Sequence, residues 1–298
     1  MGALPASVVV RDVGPRDGLQ PEAPVPVEGR VRLIEALVAA GVTRIEAVAF
    51  VSPKAVPAMA GAAEVLAAIG HPDGVRIAAL VPNVKGAELA LASSVDELTV
   101  TISISETYNQ RNVKMSTAES EAVIGSICAE ASSVPVDAVV SCAFGSPYEG
   151  EVAPAEVADL VERLRAVGCT AVTLADTTGM ATPRRIGDVL AVTGVDVGLH
   201  LHDTRGTALV NAYAAMQLGV ARFDTSVGGL GGSPFAHGAT GNLATEELVA
   251  VLDDLDIATG IDVERLVDAA AVASELVGRP VPSRVAVAGP RSRLAADH

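Results

Sequence analysis

The chain has 298 residues, half of them hydrophobic, with no Trp, three Tyr and four Phe. This composition predicts a large core of Ala, Val, Leu and Ile and excludes a disordered chain. Its 21 basic and 36 acidic residues give a net charge of −15, which excludes binding to nucleic acid or to an anionic membrane through bulk charge. The sequence has three cysteines without CxxC spacing, no secretion signal and no apolar run of membrane-spanning length. These features predict a soluble cytoplasmic protein.

Apolar, β-branched segments recur along the chain and alternate with segments rich in Ala, Glu and Leu. The β-branched segments predict eight strands, at residues 8–13, 44–50, 76–81, 97–104, 137–144, 171–175, 197–201 and 222–227. Apolar spacing of three or four predicts helices between them, as at residues 31–40, 154–168, 184–193 and 207–218. In the second of these helices, Pro154 is a start signal and Gly168 a stop signal.

Strands and helices that alternate at roughly thirty-residue spacing predict an α/β fold, a (β/α)8 TIM barrel, better than an open doubly wound sheet. No GxGxxG follows the first strand, which argues against dinucleotide binding. We expect one domain, with the barrel at about residues 7–255 and a helical extension at 256–298. This extension contains a predicted helix at 263–276 and a Pro-rich segment at 279–283, and we expect it to pack under or beside the barrel.

In a barrel of this kind the active site lies at the carboxyl-terminal ends of the strands, here called the carboxyl rim. Most residues whose side chains can bind a metal ion or take part in catalysis lie at the ends of the predicted strands or directly after them, and therefore fall on this rim. They are Arg16, Asp17, Glu46, Asn83, Ser103, Ser105, Glu106, Cys142, Ser146, Asp176, Thr178, His200, His202 and Asp203.

His-Leu-His at residues 200–202 is the sharpest local signal. Alternate residues of a strand point to the same side, so His200 and His202 project together into the barrel mouth as a pair of metal ligands. Asp17 would supply a carboxylate and Asn242 a carbonyl oxygen. Two nitrogens, two oxygens and open positions suit octahedral Mg²⁺ or Mn²⁺ better than Zn²⁺. In the alternative interpretation, the two histidines form hydrogen bonds within a polar core and bind no metal.

Arg16 stands beside the predicted ligand Asp17, where a guanidinium could hold a carbonyl oxygen that becomes negative during a reaction. Its alternative role is an ion pair with Glu46 or Asp176 at the rim. For Glu46 and Asp176 we favour a supporting role, in which they orient the metal ligands.

The segment at residues 228–242 reads Gly-Gly-Leu-Gly-Gly-Ser-Pro-Phe-Ala-His-Gly-Ala-Thr-Gly-Asn. So many glycines indicate a backbone that approaches a ligand closely or a loop that must move. Ser233, His237 and Asn242 place reactive or coordinating atoms there. We therefore expect a mobile flap that ends in a metal ligand, rather than a plain surface connection.

Four segments resemble the 3-hydroxy-3-methylglutaryl-CoA lyase family: residues 13–20 (Val-Gly-Pro-Arg-Asp-Gly-Leu-Gln), 50–54 (Phe-Val-Ser-Pro-Lys), 201–204 (Leu-His-Asp-Thr) and 228–246. The likeness runs from about residue 7 to 255. The resemblance implies cleavage of an acyl-CoA substrate to acetyl-CoA and a keto acid, as in leucine degradation, by a homodimer. It implies that Asp17, His200, His202 and Asn242 hold the metal, that Arg16 stabilises an enolate, and that Glu46 and Asp176 are active-site carboxylates.

Ser233 departs from the family pattern, in which the glycine loop reads Gly-Gly-Cys-Pro. A thiol donates a proton near neutral pH more readily than a serine hydroxyl, so Ser233 would act with help from His237 or on another substrate. The related substrates include citramalyl-CoA. A condensing enzyme or aldolase of the same barrel group, and a non-catalytic binder of acyl-CoA or metal, remain alternatives.

Overall fold

Eight parallel strands close into a barrel in the order of the chain, which confirms the predicted TIM-barrel class. The computed structural model describes residues 4–232 and 241–293. The strands are β1 Val9–Asp12, β2 Arg44–Ala49, β3 Arg76–Leu80, β4 Glu97–Ser103, β5 Val136–Ser141, β6 Ala171–Asp176, β7 Gly198–Leu201 and β8 Arg222–Thr225. Each lies where the sequence predicts a strand. β5 ends three residues early because Cys142 adopts a φ of 59°, which takes the chain out of the sheet.

Helices surround the barrel and connect its strands. They are α1 Val27–Ala39, α2 Ala62–Ile69, α3 Val84–Ala92, α4 Glu106–Val113, α5 Thr117–Ala131, α6 Pro154–Ala166, α7 Pro183–Thr193, α8 Ala208–Leu218, α9 Thr245–Asp254, α10 Val263–Val277 and α11 Arg284–Ala288. None of the helices within the described ranges is long and apolar enough to cross a bilayer.

Helix α6 shows how the sequence produces this outer layer. Pro154 stands at its first turn, where a missing N–H costs no hydrogen bond. Val157, Leu160, Val161 and Leu164 recur at helical spacing and are all buried against the barrel. The helix ends at Ala166, just before Gly168 turns the chain with a φ of 111°.

The interior of the barrel differs from the expected aliphatic core, because its middle layer is charged. Arg11 of β1 contacts Glu97 of β4 at 2.7 Å, Asp137 of β5 at 2.8 Å and Asp224 of β8 at 2.8 Å. All four side chains are buried. Aliphatic residues instead fill the space between strands and helices, whereas the barrel axis carries an ion cluster that leads up to the carboxyl rim.

The C-terminal extension packs beside the barrel and reaches the carboxyl rim. Helix α10 lies against α1, and α11 contacts both α9 and α10. Ser283 donates its backbone N–H to the carbonyl of Gly228, and Arg284 pairs with Asp203 just beyond β7 at 3.3 Å. The extension therefore supports the base of the glycine-rich segment.

Candidate active site

Three parts of the chain bring the predicted metal ligands together at the carboxyl rim. A π-helical turn, Gly14–Gly18, follows β1 and carries Asp17. Strand β7 carries His200, and His202 follows it directly. Asn242 forms an antiparallel bridge with His202, so the end of the glycine-rich segment lies against β7.

Three of these residues form a cluster that could hold a metal ion. One ligand atom from each of Asp17, His200 and His202 lies within 4.8 Å of the other two. The Nε2 atoms of the histidines are 3.2 Å apart, and Asp17 Oδ2 is 3.9 Å from His200 Nε2. Ligands about 2.1 Å from one ion at right angles are about 3.0 Å apart, and opposite ligands about 4.2 Å apart. The observed distances lie between these two values, so the three ligand atoms are close enough to bind one cation.

Asn242 adds an oxygen to this cluster. Its Nδ2 donates to Asp17 Oδ2 at 2.8 Å and to the Leu230 carbonyl at 3.0 Å. Both partners only accept hydrogen bonds, which fixes the orientation of the amide. The other amide atom, Oδ1, is buried and has no hydrogen-bond partner. A buried carbonyl oxygen without a partner is costly, and a cation bound to this donor set would satisfy it.

Asp17 is prepared to act as an anionic ligand. Burial raises the pKa of its carboxyl, but the Arg16 guanidinium and the two imidazoles outweigh this effect and lower the pKa to about 2. Arg16 Nη1 donates to Asp17 Oδ1 at 2.7 Å. The carboxylate therefore stays ionised across the physiological pH range.

Arg16 is held on two sides. Its Nε donates to Glu46 Oε2 at 2.5 Å, and its Nη1 to Asp17. The ion pair with Glu46 that the sequence offered as an alternative is therefore present. The same contacts orient the guanidinium toward the cavity that it lines. A fixed guanidinium is suited to stabilising a developing oxyanion.

Glu46 and Asp176 differ from the expectation that they contact the metal ligands. Glu46 pairs with Arg16. Asp176 Oδ1 accepts from the backbone N–H groups of Met180 at 2.6 Å and Ala181 at 2.9 Å, so it anchors the loop after β6. Burial raises the pKa of Asp176 to about 7. The carboxylate that lies against a ligand histidine is instead Asp224, 3.3 Å from His200 Nδ1.

The sequence patterns do not identify Asp224 as a site residue, because it lies within a strand and no turn motif or glycine-rich segment marks its position. Burial raises the pKa of its carboxyl, but the Arg11 guanidinium and the hydrogen bond with His200 hold that pKa well below the usual range. The strand register, which makes Asp224 of β8 and His200 of β7 partners, places this carboxylate in the site and has no local signal in the sequence.

Close packing explains some of the glycines of the 228–242 segment. A Cβ on Gly231 would lie 2.5 Å from Asn242 Nδ2 and 3.3 Å from Asp17 Oδ2. A Cβ on Gly241 would lie 1.7 Å from the carbonyl oxygen of Gly229. These glycines let the backbone reach the metal ligands. Ser233 and His237 lie outside the described residues, as does the middle of the expected flap, residues 233–240.

We expect Gly231→Ala to weaken divalent metal binding, because the new Cβ displaces Asn242 and Asp17. Gly260→Ala is the matched control, since both glycines have positive φ but nothing lies within 4 Å of a Cβ at Gly260. Both variants should lose about 1–2 kcal/mol of stability through backbone strain. Only Gly231→Ala should weaken Mn²⁺ binding in a titration, and equal affinities in the two variants would contradict this role.

A cavity of about 530 Å³ opens beside the metal cluster. Arg16, Asp17, His200 and His202 line one side of it. The rest of the lining contains polar residues such as Asn83 and Asn112 and a set of apolar residues, here called the apolar wall: Val51, Val56, Leu80, Val113, Met115, Val123 and Val139. The cavity therefore offers a polar reaction centre and an apolar wall to one ligand.

The chain matches the HMGL-like family model over residues 7–273. It is 43% identical over 296 residues to the mitochondrial hydroxymethylglutaryl-CoA lyase of Mus musculus, with 97% of this chain and 91% of that protein covered. It is 45% identical to the 3-hydroxy-3-isohexenylglutaryl-CoA/hydroxy-methylglutaryl-CoA lyase of Pseudomonas aeruginosa, with 96% and 98% covered. A solved HMG-CoA lyase from Acinetobacter baumannii, in complex with coenzyme A and 3-methylmalate, superposes with a TM-score of 0.93 at 39% identity over the full length of both chains.

Proposed function

This chain belongs to the HMGL-like family, and on that premise we propose that it is a carbon–carbon lyase that cleaves 3-hydroxy-3-methylglutaryl-CoA to acetyl-CoA and acetoacetate. The observation that carries the proposal is the Asp17–His200–His202 cluster beside Arg16, at one side of a cavity large enough for an acyl group. Retro-Claisen cleavage needs this pair of features: a cation for the tertiary hydroxyl and a positive group for the thioester enolate.

The metal ion is proposed to be Mg²⁺ or Mn²⁺, bound by Asp17, His200, His202 and Asn242. Two imidazoles with two oxygen donors, and no cysteine among the described ligands, favour these ions over Zn²⁺. When bound, such a cation lowers the pKa of a substrate hydroxyl and neutralises the charge left when its proton departs.

The protein's own groups supply the remaining steps. Asp17, His200 and His202, the proton acceptors among the described residues that line the cavity, serve as metal ligands, so the hydroxyl proton leaves to water in the cavity. The bond between C2 and C3 then breaks, and its electron pair passes to the thioester as an enolate. Arg16, held in place by Glu46 and Asp17, stabilises the enolate oxygen. The enolate finally takes a proton at C2 to give acetyl-CoA.

Ser233 is proposed to supply that last proton, since it occupies the position of the family cysteine. We expect Ser233→Cys to raise the rate of acetyl-CoA release about tenfold and Ser233→Ala to lower it by a similar factor, because a thiol is the better donor near neutral pH. Ser52→Cys, which places a thiol elsewhere on the same cavity, should leave the rate unchanged. Equal rates at Cys, Ser and Ala in position 233 would exclude this role.

A longer substituent at C3 is the second candidate substrate. The apolar wall of the cavity, which includes Leu80 and Val139, favours a substrate with an apolar group larger than methyl. The Pseudomonas aeruginosa relative is named for an isohexenyl as well as a methyl substrate. Citramalyl-CoA, like 3-hydroxy-3-methylglutaryl-CoA, carries only a methyl group at C3, and it differs from that substrate in its shorter carboxylate arm.

A substrate panel tests the proposed function. The protein with Mg²⁺ or Mn²⁺ is given 3-hydroxy-3-methylglutaryl-CoA, its isohexenyl analogue and citramalyl-CoA, and acetyl-CoA release is followed. The proposal expects release from the methyl substrate. Condensation of a keto acid with acetyl-CoA in place of cleavage would favour the condensing-enzyme alternative. Binding of all three thioesters without turnover would favour the non-catalytic one.

We infer a cytoplasmic homodimer that acts in leucine catabolism, with the catalytic barrel at about residues 7–255 and the extension at 256–298 as its support. The acyl-CoA chemistry of the family supports the role in leucine catabolism, and the contacts of Ser283 and Arg284 at the rim support the role of the extension.

A further inference from the structure

Three buried residues form a lateral row across neighbouring strands of the barrel. Arg11 of β1 is the register partner of Asp224 of β8, and Asp224 is the register partner of His200 of β7. Side chains at one register level of a sheet point to the same face and meet one another. The strand register alone thus places a carboxylate between a guanidinium and a predicted metal ligand.

Arg11 holds Asp224 through a two-pronged contact. Its Nε donates to Asp224 Oδ1 at 2.8 Å and its Nη2 to Asp224 Oδ2 at 2.9 Å. Bidentate pairing of this kind fixes both the position and the plane of the carboxylate. The surrounding charges balance, since Arg11, Arg44 and Arg222 face Glu97, Asp137 and Asp224 within 4.0 Å. The carboxylate is therefore an ionised acceptor in a rigid setting.

The contact between Asp224 and His200 decides which ring nitrogen carries the proton. Asp224 Oδ2 is 3.3 Å from His200 Nδ1, and an ionised carboxylate can only accept a hydrogen bond. In the neutral ring the proton consequently stays on Nδ1, and Nε2 keeps its lone pair. That Nε2 lies 3.2 Å from His202 Nε2, in the metal cluster.

We propose that Asp224 is a positioning residue for metal binding: clamped by Arg11, it fixes the orientation and tautomer of His200 so that Nε2 is presented to the cation. The proposal rests on the proposed function, because it takes His200 as a ligand. The buried ion cluster around Arg11 therefore has a role beyond packing, because Asp224 connects it to the predicted ligand His200.

Asp224→Asn tests this role, and Asp137→Asn is its matched control. Both carboxylates are buried, both contact Arg11 and both variants remove one negative charge from the same cluster. Of the two, Asp224 is the one in contact with His200. An asparagine at 224 has one carbonyl oxygen to share between Arg11 and His200. We expect it to weaken Mn²⁺ binding, measured by the EPR signal of free Mn²⁺, about 10- to 100-fold.

Asp137→Asn should bind Mn²⁺ within about threefold of the parent protein. Equal weakening in both variants, or no weakening in Asp224→Asn, would overturn the proposal. If the parent protein binds no Mn²⁺ at all, the metal-dependent function itself fails, which is a distinct result.

A measurement on the parent protein covers the case in which Asp224→Asn does not fold. In Mg²⁺-loaded protein with ¹⁵N-labelled histidine, long-range ¹H–¹⁵N spectra report the tautomer of each ring, and the His200 signals are those lost in His200→Gln. The proposal expects the proton of His200 on Nδ1. A proton on Nε2 would overturn it.

Discussion

Replacing Arg16 with glutamine should lower kcat for cleavage, measured at saturating metal, about a thousandfold. The guanidinium lines the cavity beside the cluster and is fixed by Glu46 at 2.5 Å and Asp17 at 2.7 Å. A group fixed in this way needs no reorganisation when the enolate forms, so its loss is felt in the transition state rather than in substrate binding. A thousandfold change corresponds to about 4 kcal/mol.

Arg205→Gln is the control for this prediction. Arg205 stands on the same rim, but it donates to the backbone carbonyls of Thr178 and Gly179 and does not line the cavity. Steady-state kinetics should show kcat close to that of the parent protein for Arg205→Gln and a large loss for Arg16→Gln. If KM rises for Arg16→Gln and kcat stays unchanged, Arg16 binds substrate without stabilising the enolate.

Replacing Asp17 with asparagine should weaken divalent metal binding by more than about a hundredfold, since it removes the anionic ligand itself. Cleavage should fall about a thousandfold or more at a fixed metal concentration, because the cation contributes several kcal/mol to stabilising negative charge. The pKa of Asp17 is lowered to about 2, so this carboxylate is charged at neutral pH and the variant removes a full charge.

Asp203→Asn is the matched change for Asp17→Asn. Asp203 follows His202 on the same rim, but it pairs with Arg284 and caps α8 through the N–H of Ala208. Calorimetric titration with Mn²⁺ should give parent-like affinity for Asp203→Asn. Unchanged affinity in Asp17→Asn would remove Asp17 from the ligand set, and added metal that restores its activity would confirm that binding is the step lost.

Local patterns in the sequence are sufficient to predict the barrel and the histidine pair. Strand–helix alternation leads to the barrel class, and the two-residue period of a strand places His200 and His202 on one side. Asp17 joins them because parallel strands end on one rim. These inferences need the direction of a strand and the side on which its residues point, and no knowledge of register.

The contacts that tune the site depend on register between distant parts of the chain. Arg11 and Asp224 are 213 residues apart in the sequence and form a contact only because β1 pairs with β8 and closes the barrel. Glu46 reaches Arg16 because the π-helical turn after β1 brings that side chain toward β2. The sequence carries no local signal for the strand register or for the turn. Sequence patterns therefore place Glu46 and Asp176 beside the metal ligands and do not identify Asp224.

The most direct test of metal-dependent carbon–carbon cleavage is product analysis with 3-hydroxy-3-methylglutaryl-CoA before and after chelation. With Mg²⁺ present, the protein should release acetyl-CoA and acetoacetate in equal amounts. Chelation should abolish release, and added Mg²⁺ or Mn²⁺ should restore it. Full activity in the chelated protein, or no cleavage at any metal concentration, would contradict the proposed function.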